Sequence, residues 1–247
     1  MKDNTMTVTR EIAEKVRDTV AAGLSSGMGK PIPGQMCVEA AVCYAMGLPH
    51  SDKPTCVSPA IRSLKIALND KAWSSPQARA KGLARLALVQ LGSAGAVDDR
   101  EFTRRVAGMT IRVFVPQALR AAAKRVPSHA EKLEAAAVAC ERDGDAASAR
   151  KARTAAADAA YAAAAAAAYA AYADAAADAA ADSVAAAATA AAAYAAAAAD
   201  ADAAAAAAAR TRDRVLADFA ERVVQILVAM DAPGAQWLDL SPLEVAL

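Results

Sequence analysis

"AAYAAAAAAAYAAYADAAADAAADSVAAAATAAAAYAAAAADADAAAAAAA", residues 159–209, is the stretch that most restricts the fold of this chain. Alanine fills 42 of the 55 positions from 155 to 209, and the chain of 247 residues holds 77 alanines against 10 aromatic side chains. Alanine has the highest helix propensity, whereas burial of its methyl group contributes only about 0.8 kcal/mol. We therefore expect an all-α protein, a multi-helix bundle in which closely packed, Ala-rich antiparallel helices make many short contacts.

The same stretch carries a stripe of tyrosines and a stripe of aspartates when it is drawn as a helix. We expect the tyrosines to fix the register of packed helices and the aspartates to face solvent. One straight helix over residues 155–209 would be about 80 Å long. We therefore expect the chain to fold back at residues 182–183 and near residues 200–202, where Asp or Ser side chains can cap new helices. The stripes are Tyr161, Tyr169 and Tyr172, and Asp174, Asp178 and Asp182.

Charge divides the chain unevenly. Residues 1–154 carry 24 Lys+Arg against 15 Asp+Glu, whereas residues 155–209 carry six aspartates and no basic residue. We distinguish a basic helical region, 1–144, from an Ala-rich helical region with an amphipathic C-terminal helix, 145–247. Because their charges are opposite, we expect the two regions to pack into one globular unit.

Capping residues predict where helices begin and end. Serine before proline is typical of a helix start, and a capping box pairs a serine with a glutamate three residues later. Pro116 is predicted to interrupt a helix, and Gly144 to end one. The predicted N-caps are Thr7 or Thr9, Ser58, Ser75, and Ser128 with Glu131.

The last predicted helix is strongly amphipathic, and after its end Trp237 and Leu238 are expected to fold back onto the body. Its apolar face is predicted to consist of Val215, Phe219, Val223, Ile226 and Met230.

No targeting or membrane segment is expected. The first 18 residues are charged throughout and contain no continuous apolar core of a signal peptide. The apolar runs 159–173 and 184–199 are shorter than the roughly 18–20 residues that cross a bilayer. Four cysteines are too few for a disulfide framework in a chain of this length. We expect a cytoplasmic protein with reduced thiols.

The segment richest in reactive side chains is "PGQMCVEAAVCYAMGLPHSDKPTC", residues 33–56. In one interpretation Cys37, close to a helix N-terminus, is a nucleophile with His50 or His129 as its base. In a second, Cys37, Cys43, His50 and Cys56 bind a metal, although their spacing is not a familiar one for zinc. In the favoured third interpretation the cysteines are buried, small apolar side chains.

Phosphates and nucleic acids are two further classes of ligand. "GMGKPIPG", residues 27–34, lacks the spacing and flanking strand of a phosphate-binding loop, and no cofactor is expected. The basic segment 100–125 is the best candidate for nucleic-acid binding, but aromatic residues are sparse there and no recognised signature is present. Its candidate residues are Arg104, Arg105, Arg112, Arg120, Lys124 and Arg125.

The pattern of Ala runs punctuated by Tyr and Asp at three- and four-residue intervals resembles Ala-rich, all-helical hypothetical proteins of bacteria and phages. Some of these are labelled immunity proteins of toxin systems. The resemblance implies a binding or inhibitory role and assigns no role to any residue. We therefore expect a non-enzymatic protein whose partner is another protein. A homo-oligomer, a Cys37-dependent enzyme and a nucleic-acid-binding protein are the alternatives.

Overall fold

The computed structural model describes residues 8–162 and 203–242, and within these ranges the chain forms nine α-helices and no β-strand. The predicted all-α fold is confirmed. The predicted fold-back points, and the stripe side chains of the Ala-rich stretch, lie outside what the structure describes. The helices are α1 (Arg10–Ala21), α2 (Val38–Ala45), α3 (Pro59–Asn69), α4 (Pro76–Val89), α5 (Asp99–Met109), α6 (Val115–Arg125), α7 (Ala130–Asp143), α8 (Ala146–Ala162) and α9 (Ala203–Val228).

Three predicted N-caps are confirmed. In each, the side-chain oxygen of the capping residue accepts a hydrogen bond from an amide of the first turn, which has no partner within the helix. The bonds run from Ile12 N to Thr9 Oγ1 (3.4 Å), from Ile61 N to Ser58 Oγ (3.4 Å) and from Ala78 N to Ser75 Oγ (3.0 Å).

The predicted capping box at Ser128 is wrong. A 3₁₀ turn, Pro127–His129, precedes α7, and His129 occupies the N-cap position without a side-chain capping bond. The Ser128 hydroxyl instead lies 3.0 Å from His129 Nδ1. Because Pro127 starts the turn early, Ser128 is already inside it and cannot cap α7.

The interruption predicted at Pro116 takes the form of a π-helical turn just before the proline, and the helical path continues through it. Between α5 and α6 the chain forms a π-helical turn, Thr110–Phe114, in which Val115 N bonds to Thr110 O. A proline in a regular α-helix removes one hydrogen bond, and its ring clashes with the carbonyl four residues earlier. The wider π turn changes the position of that carbonyl, so that the helix continues through Pro116.

The chain divides into two compact units. The first comprises Met1–Phe102 with Ala217–Leu247, and the second comprises Thr103–Leu216. The boundary predicted at residue 144 falls inside the second unit, between α7 and α8, which pack against each other.

Large apolar side chains form the core of the first unit, where α1 packs against α2 and α4. A 3₁₀ helix, Pro233–Leu240, also packs against α4 and carries the half-buried Trp237 and Leu238, as predicted. The buried face of α9 is rotated from the predicted one, because Val215, Ile226 and Met230 are only half-buried. Its fully buried members are Leu216, Phe219, Ala220, Val223, Val224 and Leu227.

Alanine dominates the core of the second unit. Eight of the thirteen buried residues in its apolar cluster are alanine, contributed by α6, α7 and α8. Such small side chains allow helix axes to approach closely, which is the packing that the composition predicts. None of the helices in the described ranges combines the length and the apolar character required to span a membrane.

Candidate functional site

The α1–α2 loop (residues 22–37) is held by hydrogen bonds although it contains little regular structure. Gly29 has a φ of 70°, and a Cβ atom there would lie 2.1 Å from the Gln35 carbonyl oxygen. Only glycine accommodates both the left-handed backbone and the close approach. Backbone hydrogen bonds across the loop join Ser25 N to Met36 O (3.0 Å), Lys30 N to Gln35 O (2.7 Å) and Cys37 N to Met28 O (3.2 Å).

Buried side chains of α3 and α4 hold the base of this loop. Asn69 donates to Ser25 O at 2.9 Å and accepts from Val38 N at 3.3 Å. Arg79 is 8% exposed, and its guanidinium donates to Leu24 O at 2.8 Å and to Asn69 O at 2.7 Å. These bonds satisfy backbone carbonyls that would otherwise be buried without partners, and they tie the loop to two helices.

Two large apolar side chains of the loop face solvent. Met28 is 45% exposed and Ile32 is 48% exposed, and Lys30 is exposed between them. Hydrogen bonds within the loop and from Asn69 and Arg79 hold it in the conformation that exposes these side chains. A rigid loop that presents apolar side chains loses little entropy when a partner covers them.

Cys37 is the N-cap of α2, as expected, but its environment does not activate the thiol. It is 4% exposed, its Sγ accepts from Ala40 N at 3.3 Å, and burial raises its pKa. The thiolate is the nucleophilic form of cysteine, so the raised pKa weighs against catalysis. Of the two candidate bases, His50 contacts Gly29 O through Nε2, at 3.1 Å, and His129 contacts Ser128 in the second unit.

The proposed metal ligands also serve the core. Cys43 and Cys56 are buried, and burial raises the pKa of Cys43 to about 11. Cys56 Sγ donates to Met46 Sδ at 3.3 Å. Across residues 8–162 and 203–242, no three His, Cys, Asp or Glu side chains converge in a group that could hold a metal ion. This geometry does not support a site made of Cys37, Cys43, His50 and Cys56.

A buried triad of Glu39, Lys65 and Gln90 lies where α2, α3 and the end of α4 meet. Lys65 Nζ is 3.6 Å from Glu39 Oε1, and both side chains are 0% exposed. Gln90 Nε2 donates to Glu39 Oε2 at 3.3 Å. Burial raises the pKa of Glu39 to about 7 and lowers that of Lys65, since each charge is removed from water.

Lys65 and Gln90 are not among the site residues predicted from the sequence, although Lys65 has a recognisable signal. In "SPAIRSLKIALND" it occupies a position on the apolar stripe of α3, with Ile61, Leu64 and Leu68. A lysine at such a position is a candidate for a buried charge. Gln90 caps the end of α4 and carries no comparable signal.

The basic segment 100–125 is partly neutralised within the second unit. Arg120 forms ion pairs with Glu134 at 2.9 Å and with Glu141. Arg112 donates to Asp143 O at 2.7 Å, at the C-terminus of α7. Arg104, Arg105 and Arg125 also have interaction partners. These contacts favour a paired helical face over a surface reserved for phosphates.

Comparison of the chain with family models, with curated protein sequences and with solved structures found no match.

Proposed function

We propose that this is a non-enzymatic binding protein that docks its α1–α2 loop onto another protein, in an inhibitory or scaffolding role. The observation that supports the proposal is the fixed loop that exposes Met28 and Ile32 on either side of Lys30. Large apolar anchors on a rigid support are typical of protein interfaces. The partner is expected to offer an apolar pocket for each anchor and a carboxylate near the rim for Lys30.

The titratable groups support a binding role over catalysis. Glu39 and Lys65 are fully buried, and Cys37 is nearly so. A general acid, base or nucleophile must reach its substrate, and these groups lie in the packed interior. The protein is proposed to act in the cytoplasm, a location supported by its four free, buried cysteines.

Affinity purification from the native cell tests the proposal when wild-type bait is compared with the double variant Met28→Ser/Ile32→Ser. We expect a stoichiometric protein partner with the wild type and at least a roughly tenfold smaller yield with the double variant, because interface anchors contribute more than about 1 kcal/mol each. Val138→Ser is the matched control, since Val138 is 49% exposed but lies on α7. Nuclease treatment of the lysate removes contacts made through nucleic acid.

Equal recovery of the partner by the wild type and the loop variant would overturn the docking surface. Recovery of untagged copies of this chain as the only protein bound to the bait would show a homo-oligomer, and recovery of the bait alone would overturn the proposal of a protein partner. Loss of the partner only after nuclease treatment would favour the nucleic-acid alternative.

A further inference from the structure

The buried triad brings an amine, a carboxyl group and a carboxamide together in the interior of the first unit. Glu39 contacts the other two members through different oxygens, Lys65 Nζ at Oε1 (3.6 Å) and Gln90 Nε2 at Oε2 (3.3 Å). Gln90 is 0% exposed, as are Glu39 and Lys65. The three residues come from three helices, so any bond between them would join distant parts of the first unit.

Hydrogen bonding in the triad is incomplete. Among the described residues, Lys65 Nζ and Glu39 Oε1 contact each other only as an ion pair, and Gln90 Oε1 has no hydrogen-bond partner. The 3.6 Å separation of Lys65 and Glu39 is an ion pair, too long for a normal hydrogen bond. Buried polar atoms are nearly always paired in folded proteins, and a buried charge pair with poor geometry is costly.

We propose that the triad modifies itself, joining the Lys65 side chain to the Gln90 side chain through an isopeptide bond with release of ammonia. The bond would cross-link α3 to the C-terminal end of α4. It would also replace a buried amine with an amide, which carries no charge.

The atoms balance without an oxidant or a cofactor. The lone pair of neutral Lys65 Nζ attacks Cδ of Gln90, and the electrons of the carbonyl move to Oε1. Glu39 accepts a proton from Nζ and delivers a proton to Nε2 of Gln90. The tetrahedral intermediate then collapses, the bond from Cδ to Nε2 breaks, and ammonia leaves. One hydrogen of the lysine amine has moved to the leaving group, and Glu39 ends unchanged.

The surroundings favour each step. Burial lowers the pKa of Lys65, which increases the share of the neutral, nucleophilic amine. Burial raises the pKa of Glu39 to about 7, a value suited to accepting and returning a proton near neutral pH. Contact of both reacting side chains with the one carboxylate of Glu39 replaces a bimolecular encounter, and burial of the triad protects the product from hydrolysis.

Intact-mass measurement of the denatured full-length protein tests the proposal. The wild type, purified and held at neutral pH, is expected to be lighter than its sequence mass by one ammonia molecule. Tandem mass spectrometry of its digest is expected to find one peptide pair joined at Lys65 and Gln90. Lys65→Met should retain the full mass, whereas Lys53→Met, which changes an exposed lysine, should still lose ammonia.

Glu39→Gln separates proton transfer from mere proximity. This variant is expected to fold, as checked by circular dichroism, and to keep its ammonia. A wild type of unchanged mass with a free Lys65 peptide would overturn the proposal. Loss of one water molecule would place the bond on Glu39 instead of Gln90, and loss of ammonia at Asn69 would indicate a succinimide. Either result would also contradict the proposal.

Discussion

Single substitutions in the buried triad should make stability depend on pH in opposite directions. Lys65→Met leaves Glu39 as a buried acid without its cation, and Glu39→Gln leaves Lys65 as a buried base without its anion. The double variant Glu39→Gln/Lys65→Met has neither charge and is the reference. Because neither single variant can complete the proposed cross-link, the comparison is independent of that bond.

The signs follow from the pKa shifts. The pKa of Glu39 is about 7 in the folded protein against an ordinary value of 4.5. The contribution of protonated Glu39 to the free energy of unfolding is therefore fully present below pH 4.5 and is lost as the pH rises through about 7. The difference corresponds to about 3 kcal/mol, and removal of Lys65 should increase it. The pKa of Lys65 is lowered from 10.5. The contribution of neutral Lys65 to the free energy of unfolding is therefore fully present above pH 10.5 and is lost as the pH falls through the lowered pKa of the folded protein.

Urea unfolding followed by tryptophan fluorescence measures the effect, because Trp73 and Trp237 both lie in the first unit with the triad. Between about pH 5 and about pH 9, relative to the double variant, Lys65→Met should lose about 3 kcal/mol or more of its free energy of unfolding. Glu39→Gln should gain stability over the same range. If the two single variants change in parallel, within about 0.5 kcal/mol, the assignment of a buried, coupled pair is wrong.

Two glycines in crowded surroundings are further test positions. A Cβ at Gly82 would lie 2.4 Å from the Trp73 ring, so Gly82→Ala should destabilise the first unit by about 1–3 kcal/mol through overpacking; an unchanged urea midpoint and tryptophan emission would refute this contact. Gly29→Ala should both destabilise the protein and reduce partner capture, because its Cβ would meet the Gln35 carbonyl oxygen. Gly47→Ala is its control, since Gly47 has a similar φ but open space around it; this change should cost only about 1–2 kcal/mol and leave capture intact.

Local signals are enough to predict where several helices begin. Each of the caps at Thr9, Ser58 and Ser75 joins a side chain to the backbone amide three positions later in the chain. The structure confirms all three caps. The same local signal gives a wrong prediction at Ser128, because the 3₁₀ turn that starts at Pro127 places His129, not Ser128, at the N-cap position of α7. The all-α class is predictable for the same reason as the caps, because helix propensity is a local property.

The candidate site is only partly predictable, since its geometry depends on contacts between distant residues. The composition of segment 33–56 shows that reactive groups are concentrated there, but it suggests His50 and His129 as partners of the cysteines. The burial of Lys65 against Glu39 and the contact with Gln90 arise only when three helices pack together. The exposure of Met28 and Ile32 is likewise determined by the tertiary structure. From the sequence alone, large apolar side chains are expected to be buried more often than exposed.

The division of the first unit between two ends of the chain constrains the order in which it can fold. Arg10 forms an ion pair with Asp239, 2.7 Å away across 229 positions of sequence. Arg85 on α4 similarly bonds Glu221 on α9, at 2.9 Å. A ribosome synthesises the N-terminal residues first. The surface of α4 therefore stays uncovered until the segments that pack on it, α9 and the 3₁₀ helix Pro233–Leu240, have been synthesised. The second unit is complete earlier, and nascent chains stalled before residue 217 should therefore expose the unfinished first unit to chaperones.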